Sequence, residues 1–520
     1  MKTRLLILLV CVIGALTAVA YWKSKNAVHV MKPMPDVQLD APSAHAALKS
    51  NQSVQMKPNA REVMFEPGAR FAFATGKDES VVVVVGEVKT GDDGSLTSIG
   101  IVEGQPESQA IFVMVGEAIA GSVDLTDGRT FTLNHVAPGI HRVSELDHEK
   151  GHDCAACRGE AKPAEADLKA LPAGVRVAFD GNGGATTANA SEARKALRLF
   201  ALRAGPVKRG KQGWVGSKGE SQASTKKVSK SGTTQNKTNS TGGATGQSKT
   251  NSTGGQAQSK TNSSGGTNQQ GSGGSKQANG STSTNNGGSS SGGTSIELMV
   301  LYTPGAAKIF GGEDGIKARI KVALEGTNKT FDNSQIAASV TLVHAGQVTY
   351  VSEGGKTKDL MNMSFNNHAL RDVVRTLRKK HHADIVTMVT ETDGGGVGFL
   401  LNEMKTRPEL GFNVVCANSL HDSVLAHEVG HNLGCQHAAG DPQATGAMFD
   451  YAFGHRFDAN DGSGSRQLRT VMAYAPGARV KYFSNPQVKL HGVPTGVAGK
   501  SDNAKVINQT VALVAKNSDK

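Results

Sequence analysis

At 520 residues the chain exceeds one ordinary domain of about 100–200 residues, so two or three folded units are expected. The net charge of +12 does not by itself point to a nucleic-acid binder, because most of it falls in one low-complexity stretch. There Lys208, Arg209, Lys211, Lys218, Lys226, Lys227, Lys230, Lys237, Lys249, Lys260 and Lys276 stand against Glu220 alone, so eleven minus one leaves ten positive charges.

Taken in order, Lys2 and Arg4 precede an apolar run from Leu5 to Ala20 that ends Ala18-Val19-Ala20, the small-x-small pattern of a signal-peptidase site. Residues 1–20 therefore read as a signal peptide and the protein as secreted, extracellular or periplasmic. Retention of residues 5–20 as a membrane anchor is the alternative. Residues 21–60 read as poorly structured. From Arg61 to Glu149 short alternating runs such as Ser80 to Val88 and Arg129 to Leu133 are broken by Gly-Asp-Asp-Gly and Thr-Asp-Gly turns, which predicts an all-β module within a β-rich prodomain over 61–200. Its His135, His141, His148 and His152 follow no ligand spacing.

Residues 201–294 form a linker of Gly, Ser, Thr, Asn, Gln and Lys with QSKTNSTGG-type repeats. With almost nothing apolar to bury, such a segment does not offset its conformational entropy. Its spaced lysines keep it soluble and extended; a tether to a cell surface, polysaccharide or nucleic acid is the other reading, and no specific nucleic-acid partner is expected.

Over 295–520 strands and helices alternate: strands at Ile296 to Tyr302, Ala337 to Val343, Ala383 to Val389 and Val397 to Leu401, helices at Gly315 to Phe331 and Asn367 to Lys380. The fold class expected is α/β (α+β), a twisted mixed sheet with an active-site helix. That helix, Asp422 to Leu433, carries His427-Glu428-Val429-Gly430-His431, followed by Asn432-Leu433-Gly434-Cys435-Gln436-His437. Residues four apart share a helical face, so His427 and His431 can reach one ion while Glu428 stands beside them as a base. Gly434 can adopt a left-handed conformation and turn the chain, bringing His437 back as third ligand. One catalytic Zn²⁺ is the cofactor this set suits, with an open fourth position. Among the cysteines, export permits pairing, and a Cys416–Cys435 bridge would clamp the helix. Cys154 and Cys157 form an isolated CxxC with no second pair.

The HExxHxxGxxH pattern resembles the metzincin metallopeptidases, whose histidines are followed by a methionine-containing turn. Here Arg469-Thr470-Val471-Met472-Ala473-Tyr474 matches it, which implies that Met472 floors the metal and that Tyr474 binds the metal or swings to the oxyanion, a packed turn aromatic being its other reading. Ile296 to Pro304, VMAYAPG and Tyr482-Phe483-Ser484-Asn485-Pro486 are similar to bacterial, secreted reprolysin-like enzymes of the peptidyl-Asp metallopeptidase family. The resemblance implies a monomeric zinc endopeptidase acting on proteins or peptides, bound along the edge strand and cut beside acidic residues, with Glu428 moving the proton. Two departures stand out. Ala438 replaces the aspartate usual after the third histidine, and Gly394 to Phe399 lacks the cysteine relatives place before the edge strand. Cys154 or Cys157 as a latency thiol on the zinc is a further expectation. A surface-tethered binding or adhesion protein with a protease-like domain is the competing reading.

Overall fold

The computed structural model describes residues 27–34, 48–148, 177–180 and 293–519, apart from 77, 353, 393, 442–443 and 461–463; of 177–180 it describes the backbone pairing. These residues belong to one compact unit. The expected signal peptide, Cys154 and Cys157, and all but the end of the expected linker lie outside them. Among the described residues no helix is long and apolar enough to cross a membrane.

The first half is a ten-stranded sheet. Its strands are β1 (Val28–His29), β2 (Met31–Pro33), β3 (Leu48–Met56), β4 (Arg70–Ala74) and β5 (Ser80–Thr90), then β6 (Leu96–Val102), β7 (Gln105–Val115), β8 (Ala118–Asp124), β9 (Thr130–Ala137) and β10 (Ile140–Leu146). Helix α1 (Ala60–Met64) packs beside them. The sheet runs in a meander from β4 to β10 and closes with β3 and β2 beyond β10 and β1 beside β4. Strands β1 to β3 fall within the stretch read from sequence as poorly structured. Met31 and Val54 of these strands, with Val30 between β1 and β2, are buried with Phe71, Phe73, Phe112 and Phe131, so they complete the core that β4 to β10 leave open.

The second half is built on a six-stranded mixed sheet. It contains β11 (Val177–Asp180), β12 (Thr294–Tyr302), β13 (Ala338–Gln347), β14 (Ile385–Thr390), β15 (Gly396–Phe399) and β16 (Phe412–Cys416), in the order β11-β15-β16-β14-β12-β13. Strands β12, β13, β14 and β16 run parallel, while β15 is antiparallel to β16. The parallel part is apolar on both faces: Leu298, Met299, Val300 and Leu301 are all buried. Helices α2 (Pro304–Ile309), α3 (Glu313–Asn333), α4 (Lys356–Ser364) and α5 (Ala369–Lys380) cover it, followed by α6 (Asp422–Asn432) and, near the carboxyl end, α7 (Asn503–Val514). A small sheet of β17 (Arg456–Asn460), β18 (Ser465–Arg469) and β19 (Ala478–Arg479) lies between α6 and α7 in sequence.

Helix α3 joins the halves because it is apolar on two sides. Ile316, Ile320, Ala323 and Phe331 enter the main core at helical spacing. Ala318 and Val322, on another side, pack against Ile111, Val113 and Ala120 of β7 and β8. Burying such aliphatic side chains contributes about 1.5–3 kcal/mol each for the larger ones. Arg319, 1% exposed, is held between them: Nε donates to the Leu420 carbonyl at 2.6 Å and Nη1 to the Gly121 carbonyl at 2.9 Å.

The expected Cys416–Cys435 bridge is absent; both side chains are buried and unbridged. Cys416 ends β16 before α6 begins, and Cys435 follows the other end of α6. Asn432, at the end of α6, donates to the Phe412 carbonyl at the start of β16, and Cys416 stands four residues further along that strand, about 13 Å, beyond the separation of about 7 Å that a disulfide tolerates. Each thiol has a local partner instead, Thr392 Oγ1 at 3.3 Å for Cys416 and the Asn503 carbonyl at 3.7 Å for Cys435.

Candidate metal centre

Helix α6 is buried over residues 423–432 and anchored to the sheet by Asn432, whose amide donates to the carbonyls of Phe399, Leu410 and Phe412 at 2.9–3.1 Å. The Leu401 N–H donates to the His431 carbonyl at 3.0 Å, so the chain leaving β15 is stitched to the helix. The helix ends as its sequence predicts. Gly434 has φ +94°, its N–H donates to the His431 carbonyl, and that of Cys435 to the Gly430 carbonyl, both at 2.9 Å. The turn redirects the chain so that His437 faces back.

His427, His431 and His437 are each 0% exposed, and their Nε2 atoms lie 3.2, 3.0 and 3.0 Å apart in pairs. They are the one group of three or more metal-competent side chains among the described residues. Hydrogen bonds among the three nitrogens do not account for this. His427 Nδ1 lies 2.9 Å from the Val471 carbonyl and His431 Nδ1 2.8 Å from that of Cys435, and an acceptor there places the proton on Nδ1. In that tautomer both Nε2 lone pairs point inward, an arrangement a cation stabilises and its absence does not. Three corners of a tetrahedron with bonds of about 2.0–2.1 Å lie about 3.3–3.4 Å apart, close to the spacing seen. The donor set therefore fits a tetrahedral metal with one position left over.

Met472 is 0% exposed beneath α6. A Cβ at Gly430 would come within 2.8 Å of Met472 Sδ and 2.9 Å of Phe483 Cε1, so only glycine allows the helix to sit this close to the turn. Glu428 is also 0% exposed and lies against β15. A Cβ at Gly396 would collide with its Oε1, and one at Gly398 would meet its Oε2 at 3.0 Å. The glycines that set Gly394 to Phe399 apart thus make room for the carboxylate. Lys356 Nζ, on α4, holds the entry to β15 by donating to the Gly394 carbonyl at 2.9 Å.

Tyr474 is 5% exposed, its ring tilted over His437 at 4.2 Å between centroids. Its placement depends on a residue the motif does not contain. Asp441 Oδ2 accepts from the N–H of Ala438 at 3.2 Å and from that of Tyr474 at 3.0 Å. Asp441 Oδ1 is ion-paired with Arg456, whose Nε donates to the Tyr474 carbonyl at 2.8 Å. One carboxylate, three residues past Ala438, ties the loop after the third histidine to the loop of Met472 and Tyr474. The missing aspartate after His437 is the signal that a nearby acid could have been sought, but nothing in the spacing pairs residue 441 with 474. The other described histidines stay apart from the triad. His421 is buried just before α6, His381 stacks on His344 at 4.1 Å, and His135 and His141 pack edge to face at 5.1 Å in the β half.

Residues 292–499 match the family model of the reprolysin-like metallopeptidases of family M12B. A peptidyl-Asp metalloendopeptidase of Stenotrophomonas maltophilia (strain R551-3) is 29% identical over 225 residues, 42% of this chain and 52% of that protein. Another, of Xanthomonas campestris pv. campestris, is 28% identical over 225 residues, again 42% of this chain and 51% of its own length. A third, of Stenotrophomonas maltophilia (strain K279a), is 26% identical over 224 residues, 42% and 52% of the two chains. The chain thus spans about half the length of the curated relatives it matches. The matched stretch contains the whole centre, from the parallel strands through His427, Glu428, His431 and His437 to Met472 and Tyr474, so the likeness to the reprolysin-like metallopeptidases of family M12B covers every residue of the site.

Proposed function

We propose that the chain is a secreted zinc endopeptidase that hydrolyses protein and peptide substrates beside acidic residues, with residues 61–200 acting as its prodomain. The observation that carries this reading is the buried triad of converging Nε2 atoms with the Glu428 carboxylate enclosed between α6 and β15. Zinc, when bound by His427, His431 and His437, supplies a Lewis acid that activates water and polarises a carbonyl. Glu428 takes a proton from the attacking water and returns it to the leaving amine. Its burial under a strand of glycines and its separation from bulk solvent suit a group that must hand one proton across one bond. Tyr474, fixed through Asp441, donates its hydroxyl to the developing oxyanion. A substrate lies extended and antiparallel along β15, held by main-chain hydrogen bonds. The preference for acidic neighbours is supported by the name shared by three relatives, peptidyl-Asp metalloendopeptidase. Export is supported by the Lys2 to Ala20 segment.

The test is hydrolysis of casein by the zinc-loaded full chain against Glu428→Ala. Cleavage that vanishes in the variant, with zinc retained, is expected. Stoichiometric zinc with no cleavage dependent on Glu428 refutes the enzyme and favours a binding protein.

A further inference from the structure

The outer edge of the catalytic sheet is covered by the chain itself. Strand β11, from the upstream half, pairs antiparallel with β15, setting Val177 against Phe399, Ala178 against Gly398, Phe179 against Val397 and Asp180 against Gly396. β15 is the strand under which Glu428 lies, closest at Gly396 and Gly398. The backbone opposite those two glycines is that of residues 178–180. A peptide taking up the main-chain groups of β15 as an added strand would occupy the same place in the same pattern.

We propose that Val177–Asp180 is the first substrate of this centre, cut within its own molecule at the Phe179–Asp180 bond. The proposal rests on the endopeptidase reading above and names its first target. Two peptide bonds lie between the partners of Gly396 and Gly398, Ala178–Phe179 and Phe179–Asp180. Only the second borders an acidic residue. The oxygen of water joins the Phe179 carbonyl carbon as Glu428 accepts one of the water's protons. The bond from that carbon to the Asp180 nitrogen then breaks, and Glu428 delivers the proton to the nitrogen. The products are a Phe179 carboxylate and an Asp180 amine, with no oxidant or further reactant.

Before the cut, the tethered strand competes with free peptides for β15 at an effective concentration of order millimolar, so the intact chain is latent. After it, a new carboxylate lies beside that of Glu428, and like charges in a site of low dielectric repel. The product segment is therefore weakened on β15 by its own cleavage, and the edge opens to other peptides.

The experiment follows the zinc-loaded full chain by electrophoresis and amino-terminal sequencing, with casein hydrolysis measured alongside. The wild type is expected to yield a fragment beginning at Asp180 at a rate unchanged over a tenfold range of chain concentration, and casein hydrolysis is expected to rise with it. Glu428→Ala is expected to stay intact, and Asp180→Ala to slow the cut at least tenfold. Casein hydrolysis by a wild-type chain that stays uncut, or is cut elsewhere, overturns the inference and leaves the endopeptidase standing. Processing of Asp180→Ala at the wild-type rate also overturns it. A chain that cleaves neither itself nor casein sinks both readings.

Discussion

Replacing Asp441 by alanine should damage both the stability of the catalytic half and its chemistry, although Asp441 is neither a ligand nor the base. Its side chain is 6% exposed and that of Arg456 21%, so the pair is largely shielded from water. Removing the carboxylate leaves a guanidinium with diminished compensation and two backbone N–H groups, of Ala438 and Tyr474, without their acceptor. Breaking a buried ion pair from one side costs about 3–5 kcal/mol. For a unit of about 200 residues each kcal/mol lowers Tm by about 2–4 °C, so a fall of about 6–20 °C is expected by calorimetry. Asp441→Asn keeps an acceptor and should lose less, about 1–2 kcal/mol. In peptide hydrolysis the alanine variant should lose kcat more than it raises KM, because the Tyr474 loop loses its anchor and the strand-binding edge does not. A Tm within about 2 °C of wild type, or an unchanged kcat, refutes the assignment of Asp441 as the residue that positions Tyr474.

Gly396→Ala forces a Cβ toward Glu428 Oε1 and should reduce kcat at least tenfold while zinc binding persists; an alanine variant of full activity contradicts the placement of the base under β15. In the β half, burial, with the charge of His135 beside it, pushes His141 down to about 3. Its protonation therefore favours the unfolded chain: the stability it contributes is complete above about pH 6.5 and is lost as pH falls toward 3. His141→Gln retains an acceptor for the Ile119 N–H and should flatten that acid limb in denaturation experiments; an unchanged limb rejects the cause. Since Cys416 and Cys435 are unbridged, dithiothreitol should leave the Tm of the catalytic half unaltered, and a clear fall would restore the disulfide.

What could be read from the residues is what local periodicity determines. The four-residue spacing of His427 and His431 needs only a helix, and Gly434 only a left-handed turn, and both are present. The helix expected at Gly315 to Phe331 spans Glu313–Asn333, since its apolar residues recur at helical spacing. Helix α4 escaped notice because Lys356, Asp359 and Asn362 look like a solvated face, yet all are buried. Asp359 accepts from Tyr350 Oη and Ser352 Oγ, and burial still pushes its carboxyl up to about 6. Non-local relations were the ones not legible. Asp441 meets Tyr474 across 33 positions, β11 meets β15 from far upstream in the sequence, and Cys416 and Cys435, near in sequence, are separated by a helix.

The central claim, that His427, His431 and His437 together hold one zinc ion, is tested most directly by metal analysis of the purified full chain beside His431→Ala. One equivalent of zinc in the wild type, removed by a chelator with a fall in Tm and absent from the folded variant, is the result predicted. A folded wild type that binds no zinc, or a His431→Ala chain that keeps a full equivalent, contradicts it.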